Sequence, residues 1–177
     1  MIKEAFPDKV MIGIWKVVTE GCDVYITPTM KEVEVLREIG SDIIAVDGTD
    51  RNNCNGRKAY ELIREIKEKY PDQVVMADIA TINDARRSVE AGADIISTTL
   101  SGYTEDSLDR YALGADFDLI EQVRREFPNI FINAEGRIWT REEAKKAFEC
   151  GADVIVVGTA ITNPMSITKR FADYIKK

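Results

Sequence analysis

A pattern that occurs three times constrains this chain more than any other feature. Thr29, Thr81 and Thr140 are each followed three positions on by an acid, Glu32, Asp84 and Glu143. A threonine oxygen so placed accepts an orphan N–H of the first helical turn, while the acid reaches back to the threonine's own N–H. That reciprocal pair starts a helix. Eleven positions after each threonine stands a glycine, Gly40, Gly92 or Gly151, suited to the left-handed backbone that ends a helix. Closely similar strand openings follow: Ser41-Asp42-Ile43-Ile44, Ala93-Asp94-Ile95-Ile96 and Ala152-Asp153-Val154-Ile155. Helix, stop and apolar strand recur in register, so the chain is an alternating α/β protein.

Further units lie between the copies. Ala59, Leu62, Ile63, Ile66 and Tyr70 recur at helical spacing before Pro71, and Leu119, Ile120, Val123 and Phe127 do so before Pro128. Ile2 to Phe6 reads as the tail of a helix, and a last helix runs from Met165 to Ile175. Six strands are expected, over about 10–15, 42–47, 74–79, 94–99, 130–134 and 153–158. Apolar runs without alternation suit strands covered on both faces, and strands that alternate with helices pair in parallel through right-handed crossovers. A (β/α)8 barrel has eight such units and typically 200 or more residues. With 177 residues the chain is read as one domain, two units short of that barrel.

In folds of this kind the chemistry sits at the carboxyl ends of the strands. Lys16 closes the run IGIW; it is either a residue of the barrel mouth or a surface lysine whose stem covers apolar neighbours. Desolvation at the mouth would lower its pKa and make it a base near neutral pH. Asp47-Gly48-Thr49-Asp50-Arg51 follows the second strand. Asp78 lies inside VVMADIA, where an unpaired carboxylate is costly; it is either functional or a structural partner of Lys16 or a backbone amide. Thr98 to Tyr103 follows the fourth strand. Glu135, Gly136 and Arg137 end the fifth, and Gly158 and Thr159 the sixth. Glycines there let backbone amides approach an oxyanion, so the last two loops are a candidate phosphate site. Asp42, Asp94 and Asp153 precede their strands, at the opposite rim, and are assigned to structure.

Composition narrows the chemistry. The formal charge is −7, which disfavours a nucleic-acid partner. Apolar residues make up 45% of the chain, yet none of its runs approaches the roughly 20 residues that cross a bilayer, and MIKEAFPDKV lacks the apolar core of a signal peptide. A cytoplasmic protein is expected. Histidine is absent, which removes the commonest general base and metal ligand, so acid/base work must fall to Lys, Asp, Glu or Tyr. Cys22, Cys54 and Cys150 are odd in number and unpaired in spacing, and reduced thiols without a metal site are expected.

The segments GIWK (13–16), YITPT (25–29), DIIAVDGTDR (42–51), VMADIATINDA (75–85), DIISTTLSGYT (94–104), AEGRIWT (134–140) and VIVVGTAITNP (154–164) closely resemble the N-acetylmannosamine-6-phosphate 2-epimerases (NanE). The resemblance runs from about residue 8 to the end. It implies a phosphate-binding (β/α)8 barrel, usually a homodimer. The implied activity interconverts N-acetylmannosamine 6-phosphate and N-acetylglucosamine 6-phosphate in sialic acid breakdown, with no redox cofactor and no metal. By the same resemblance Lys16 moves the C2 proton, Glu135 is its acid/base partner and Asp78 orients them. Gly136, Arg137, Gly158 and Thr159 hold the phosphate. Against the family pattern the chain starts in the helix before the third strand, so about six of eight units are expected, in an N-terminally incomplete single domain 1–177. Asn163 stands where the family often has arginine, and Glu105 to Ala115 is longer than the family pattern.

Two other readings follow from the same residues. A pentose-phosphate epimerase would use a metal held by histidines, and the chain has none. A non-catalytic chain, one that binds phosphosugar weakly or only assembles with other chains, is the alternative that the shortened barrel suggests.

Overall fold

The three helix starts form as the repeat predicts. In the computed structural model, which describes residues 2–176, α2 (Met30–Glu38), α4 (Ile82–Glu90) and α6 (Arg141–Glu149) each begin at the repeat's threonine with both halves of the reciprocal cap in place. Gly40, Gly92 and Gly151 follow with φ of 82°, 103° and 106°, the left-handed region where a Cβ is disfavoured.

The chain divides into two compact units, one ending at Ser97 and the other beginning at Thr98. In the first, α1 (Ile2–Ala5) precedes β1 (Ile12–Gly13), α2, β2 (Ile43–Asp47), α3 (Glu61–Lys69), β3 (Val74–Asp78), α4 and β4 (Ile95–Ser97). The four strands lie side by side in chain order, all parallel. Side chains on both faces of the central strands are buried: Ala45, Met76 and Ile95 pack together on one face, while Ile44, Val46, Val75 and Ala77 have no measurable exposure. Val33 and Leu36 of α2 and Leu62, Ile63 and Ile66 of α3 form the buried face of the covering helices. Burial on both faces is why these strands read as unbroken apolar runs.

The second unit begins with a 3-10 helix, Glu105–Leu113, inside the segment read as over-long. It continues through α5 (Phe117–Glu126), β5 (Phe131–Glu135), α6, β6 (Val154–Val156), α7 (Thr159–Thr162) and α8 (Pro164–Ile175). β5 and β6 pair in parallel from Asn133 with Val154 to Glu135 with Val156. Leu119, Ile120 and Val123 of α5, Ile132 and Ala134 of β5 and Ala147 of α6 make its core.

The three aspartates assigned to structure do one job. The Oδ2 of Asp42 accepts from the Met11 N–H at 2.7 Å and from Lys3 Nζ at 2.6 Å. Asp94 accepts from the Val75 N–H and Lys67, and Asp153 from the Ile132 N–H and Arg124 Nη2. Each carboxylate satisfies an N–H at the start of the preceding strand and pairs with one cation. Lys3 is the main reason that the Asp42 carboxyl is held below its ordinary value.

Two expectations are corrected. The first strand does not extend over residues 10–15: only Ile12 and Gly13 pair with β2, because the following backbone turns to a different partner. Thr27 donates to the Trp15 carbonyl, Val17 to that of Tyr25, and Lys16 bridges Ile26 in antiparallel sense. The cysteines are not all reduced either, since Cys22 and Cys54 form a disulfide, with Cα atoms 4.4 Å apart. Their 32-residue separation hides this in the sequence. The Asp23 N–H donates to the Asn52 carbonyl and the Asp23 carboxylate accepts from the Asn52 N–H, which brings the two loops together. Cys150 is free and buried.

Candidate active site

In the first unit the carboxyl ends of the strands align polar groups. Asp47 stands opposite Asp78 across β2 and β3, and Asp78 opposite Ser97 across β3 and β4. All three are at most 1% exposed. Lys16 lies beyond β1 and is exposed. The carbonyl of Asp78 accepts from the Gly48 N–H at 2.9 Å.

Asp47, in the sequence one polar residue among several after the second strand, organises the loop after β2. Its Oδ1 accepts from the Thr49 N–H at 3.0 Å and the Thr49 hydroxyl at 2.6 Å, and its Oδ2 accepts from Arg51 Nη2 at 2.5 Å. Arg51 Nε donates to Thr49 Oγ1 and its Nη1 to the Asp23 carbonyl, tying this loop to the one that follows Lys16. Burial pushes the Asp47 carboxyl above its ordinary range despite Arg51 and Thr49, which pull the other way. Gly48 is fixed by packing: a Cβ there would lie 2.6 Å from Ser88 Oγ and 2.9 Å from the Ala77 Cβ.

In the second unit Glu135 ends β5, half-buried. The Thr98 hydroxyl clamps its backbone from both sides, accepting from the Glu135 N–H at 3.1 Å and donating to its carbonyl at 3.0 Å. Asn133, two residues back on the same strand, donates from Nδ2 to Glu135 Oε2 at 3.2 Å and is 1% exposed. Neither Thr98 nor Asn133 was singled out with Glu135 from the sequence, although an amide inside the run FINAE is the kind of buried polar group that demands a partner.

Gly136 at φ 105° and Arg137 at φ 56° turn the chain sharply away from the strand end. A left-handed arginine is uncommon, and here its side chain is heavily used. Its Nε donates to the Gly114 carbonyl at 2.6 Å and its Nη1 to the Ser101 carbonyl, while the guanidinium lies over Tyr103 and Tyr111, 5.4 and 5.8 Å from the ring centres. Arg137 therefore binds the two ends of the loop that carries the 3-10 helix. Gly102 must be a glycine for the same reason, because a Cβ would meet Arg137 Nη1 at 2.6 Å and the Tyr111 Cα at 2.9 Å. Asp116 secures the loop's far end, accepting from the Ser101 hydroxyl, from Arg110 and from the Leu119 N–H that opens α5.

Gly158 and Thr159 are exposed at the start of α7, and a Cβ on Gly158 would meet only open space. The structure thus brings Glu135, Gly136 and Arg137 together on one strand end, with Gly158 and Thr159 following the neighbouring strand of the same unit. Lys16 and Asp78 belong to the first unit. A cavity of about 450 Å³ lined by Trp139, Ser166, Lys169, Arg170, Asp173 and Tyr174 includes none of the sequence-predicted site residues. Among the described residues no group of three or more Cys, Asp and Glu is arranged to hold a metal ion, and no helix is long and apolar enough to cross a membrane.

Comparison with known proteins identifies the family of the chain. The family described as "Putative N-acetylmannosamine-6-phosphate epimerase" matches residues 4–177. Two relatives carry the name "Putative N-acetylmannosamine-6-phosphate 2-epimerase". That of Caldanaerobacter subterraneus subsp. tengcongensis is 50% identical over 94% of this chain and 69% of its own length. That of Borreliella burgdorferi is 41% identical over 96% of this chain and 73% of its own. The solved structure of the N-acetylmannosamine-6-phosphate 2-epimerase from Clostridium perfringens is 42% identical and superposes with a TM-score of 0.86, covering 98% of this chain and 73% of that one. The chain belongs to the N-acetylmannosamine-6-phosphate epimerase family.

Proposed function

We propose that the chain interconverts N-acetylmannosamine 6-phosphate and N-acetylglucosamine 6-phosphate, as an N-acylglucosamine-6-phosphate 2-epimerase of amino sugar breakdown in the cytoplasm. The observation that carries this reading is 41–50% identity to named epimerases across nearly the whole chain. The fold that goes with it is the phosphate-binding (β/α)8 barrel type, with six of its strands present. The chemistry suits the residue types. Opening the sugar ring exposes an aldehyde at C1 that acidifies the C2 proton; Lys16 removes it, the electron pair moves onto O1 as an enolate, and a proton returns to the other face of C2. A group that stabilises the developing oxyanion lowers the barrier further. Glu135 is the acid/base partner and Asp78 the group that orients the pair. The backbone amides of Gly136, Gly158 and Thr159 take the phosphate, with the charge of Arg137 beside them.

Incubation of the chain with N-acetylmannosamine 6-phosphate, followed by proton NMR, should show the anomeric signals of N-acetylglucosamine 6-phosphate growing in. Glu135→Gln should lower kcat by about 10² to 10⁴. A variant as fast as the wild type would remove Glu135 from the reaction. A second reading, a chain that only assembles with others, is favoured by one observation: α8 has no buried residue. Absence of turnover by a cooperatively folded chain would support it.

A further inference from the structure

We propose that Asn133 is a positioning residue for the reaction, its buried amide holding the Glu135 carboxylate in the orientation from which it exchanges a proton with substrate. The inference rests on the role given to Glu135 above. Asn133 and Glu135 are two apart on β5 and so project from the same face, while Ile132 and Ala134, both fully buried, project from the other. An amide at 1% exposure has lost its hydration, and its place in a strand of apolar neighbours makes sense only through the hydrogen bonds it forms.

The backbone of Glu135 is held by Thr98. Thr98 Oγ1 binds both its N–H and its carbonyl, and the Thr98 N–H donates to the Asn133 carbonyl at 3.2 Å, so the backbone of the strand end is held by this one residue of the same unit. What is left is rotation about the side-chain bonds, and the Asn133 Nδ2 contact to Oε2 at 3.2 Å restrains it. A donor on Oε2 leaves Oε1 to face the substrate. Thr98 fixes where Glu135 starts, and Asn133 fixes where its carboxylate points.

The test uses the full chain and solvent-proton exchange at C2 of N-acetylmannosamine 6-phosphate. Asn133→Asp keeps the shape and removes the donor; Asn133→Ser keeps a shorter donor and covers the case in which the aspartate variant fails to melt cooperatively. Asn133→Asp should lower kcat about 10- to 100-fold, the scale of a misplaced catalytic group, with KM changed less than about threefold. Asn133→Ser should recover part of the loss. In a Glu135→Gln background the Asn133 substitution should add little, because two residues acting as a unit are not additive. A fall in KM-determined binding alone, or losses that multiply in the double variant, would overturn the inference while leaving Glu135 in place. A wild type without exchange would instead overturn the proposed function, and this inference with it.

Discussion

Asp84 carries more than its place in a helix cap requires. Its Oδ2 accepts from the Ala80 N–H, the Thr81 N–H and the Thr81 hydroxyl, and its Oδ1 accepts from the Asp50 N–H. Burial raises its pKa against all of them. Asp84→Ala leaves these buried and half-buried donors without their acceptor and should cost about 2–4 kcal/mol, read from urea denaturation; a loss below about 1 kcal/mol would show that water reaches them. Asp47 gives a pH test. Its native pKa is raised above 3.8, so the folded chain holds the proton more tightly than the unfolded chain. Its contribution is therefore full below pH 3.8 and is lost as pH rises through the native value. The stability of Asp47→Asn relative to wild type should accordingly improve as pH rises above 3.8; a constant difference would contradict the sign. The caps, the glycine stops and the three strand-entry aspartates were legible because each rule acts within a few residues. Asp47 with Arg51, and Asn133 with Glu135, were not, since their meaning appears only once burial is known.

At the scale of elements, the loop that follows Lys16 is held by more than its hairpin contacts. The Cys22–Cys54 bond closes a 32-residue loop across β2, and the Asp23 contacts with Arg51 and Asn52 lie beside it. Closing a loop of that length is worth about 3–4 kcal/mol in the chain-entropy account, so Cys54→Ser should lower stability by that order. Thiol titration of the unfolded, unreduced chain should find one free thiol, and three after reduction; three before reduction would contradict the bond. In the native chain Cys150 should react slowly at pH 8. Burial, together with its contact to Glu121 Oε1, pushes its thiol up to about 11. The sequence placed every strand but misjudged the first, because nothing in IGIWK tells that its backbone leaves β2 for residues 25–27. The 3-10 helix was seen only as extra length: its purchase on the fold comes through Arg137, whose partners Ser101 and Gly114 lie far from it in the chain.

At the scale of the whole molecule, the chain leaves apolar surface uncovered. Met165, Tyr174 and Ile175 of α8 are 79–81% exposed, and Ile12 on β1 and Val154 on β6 are also open. Exposed apolar surface of this kind favours association, and light scattering on the eluting peak should give at least twice the 19.9 kDa chain mass; a monomer peak at 19.9 kDa would contradict it. The alternation of helix and strand was readable because the repeat sets it. Proton transfer at C2 is the claim on which the functional account stands, and deuterium is its direct reporter. In heavy water, wild-type chain should place deuterium at C2 of both N-acetylmannosamine 6-phosphate and N-acetylglucosamine 6-phosphate, and Lys16→Ala should not. Epimer formation without deuterium at C2, or exchange undiminished in Lys16→Ala, would contradict it.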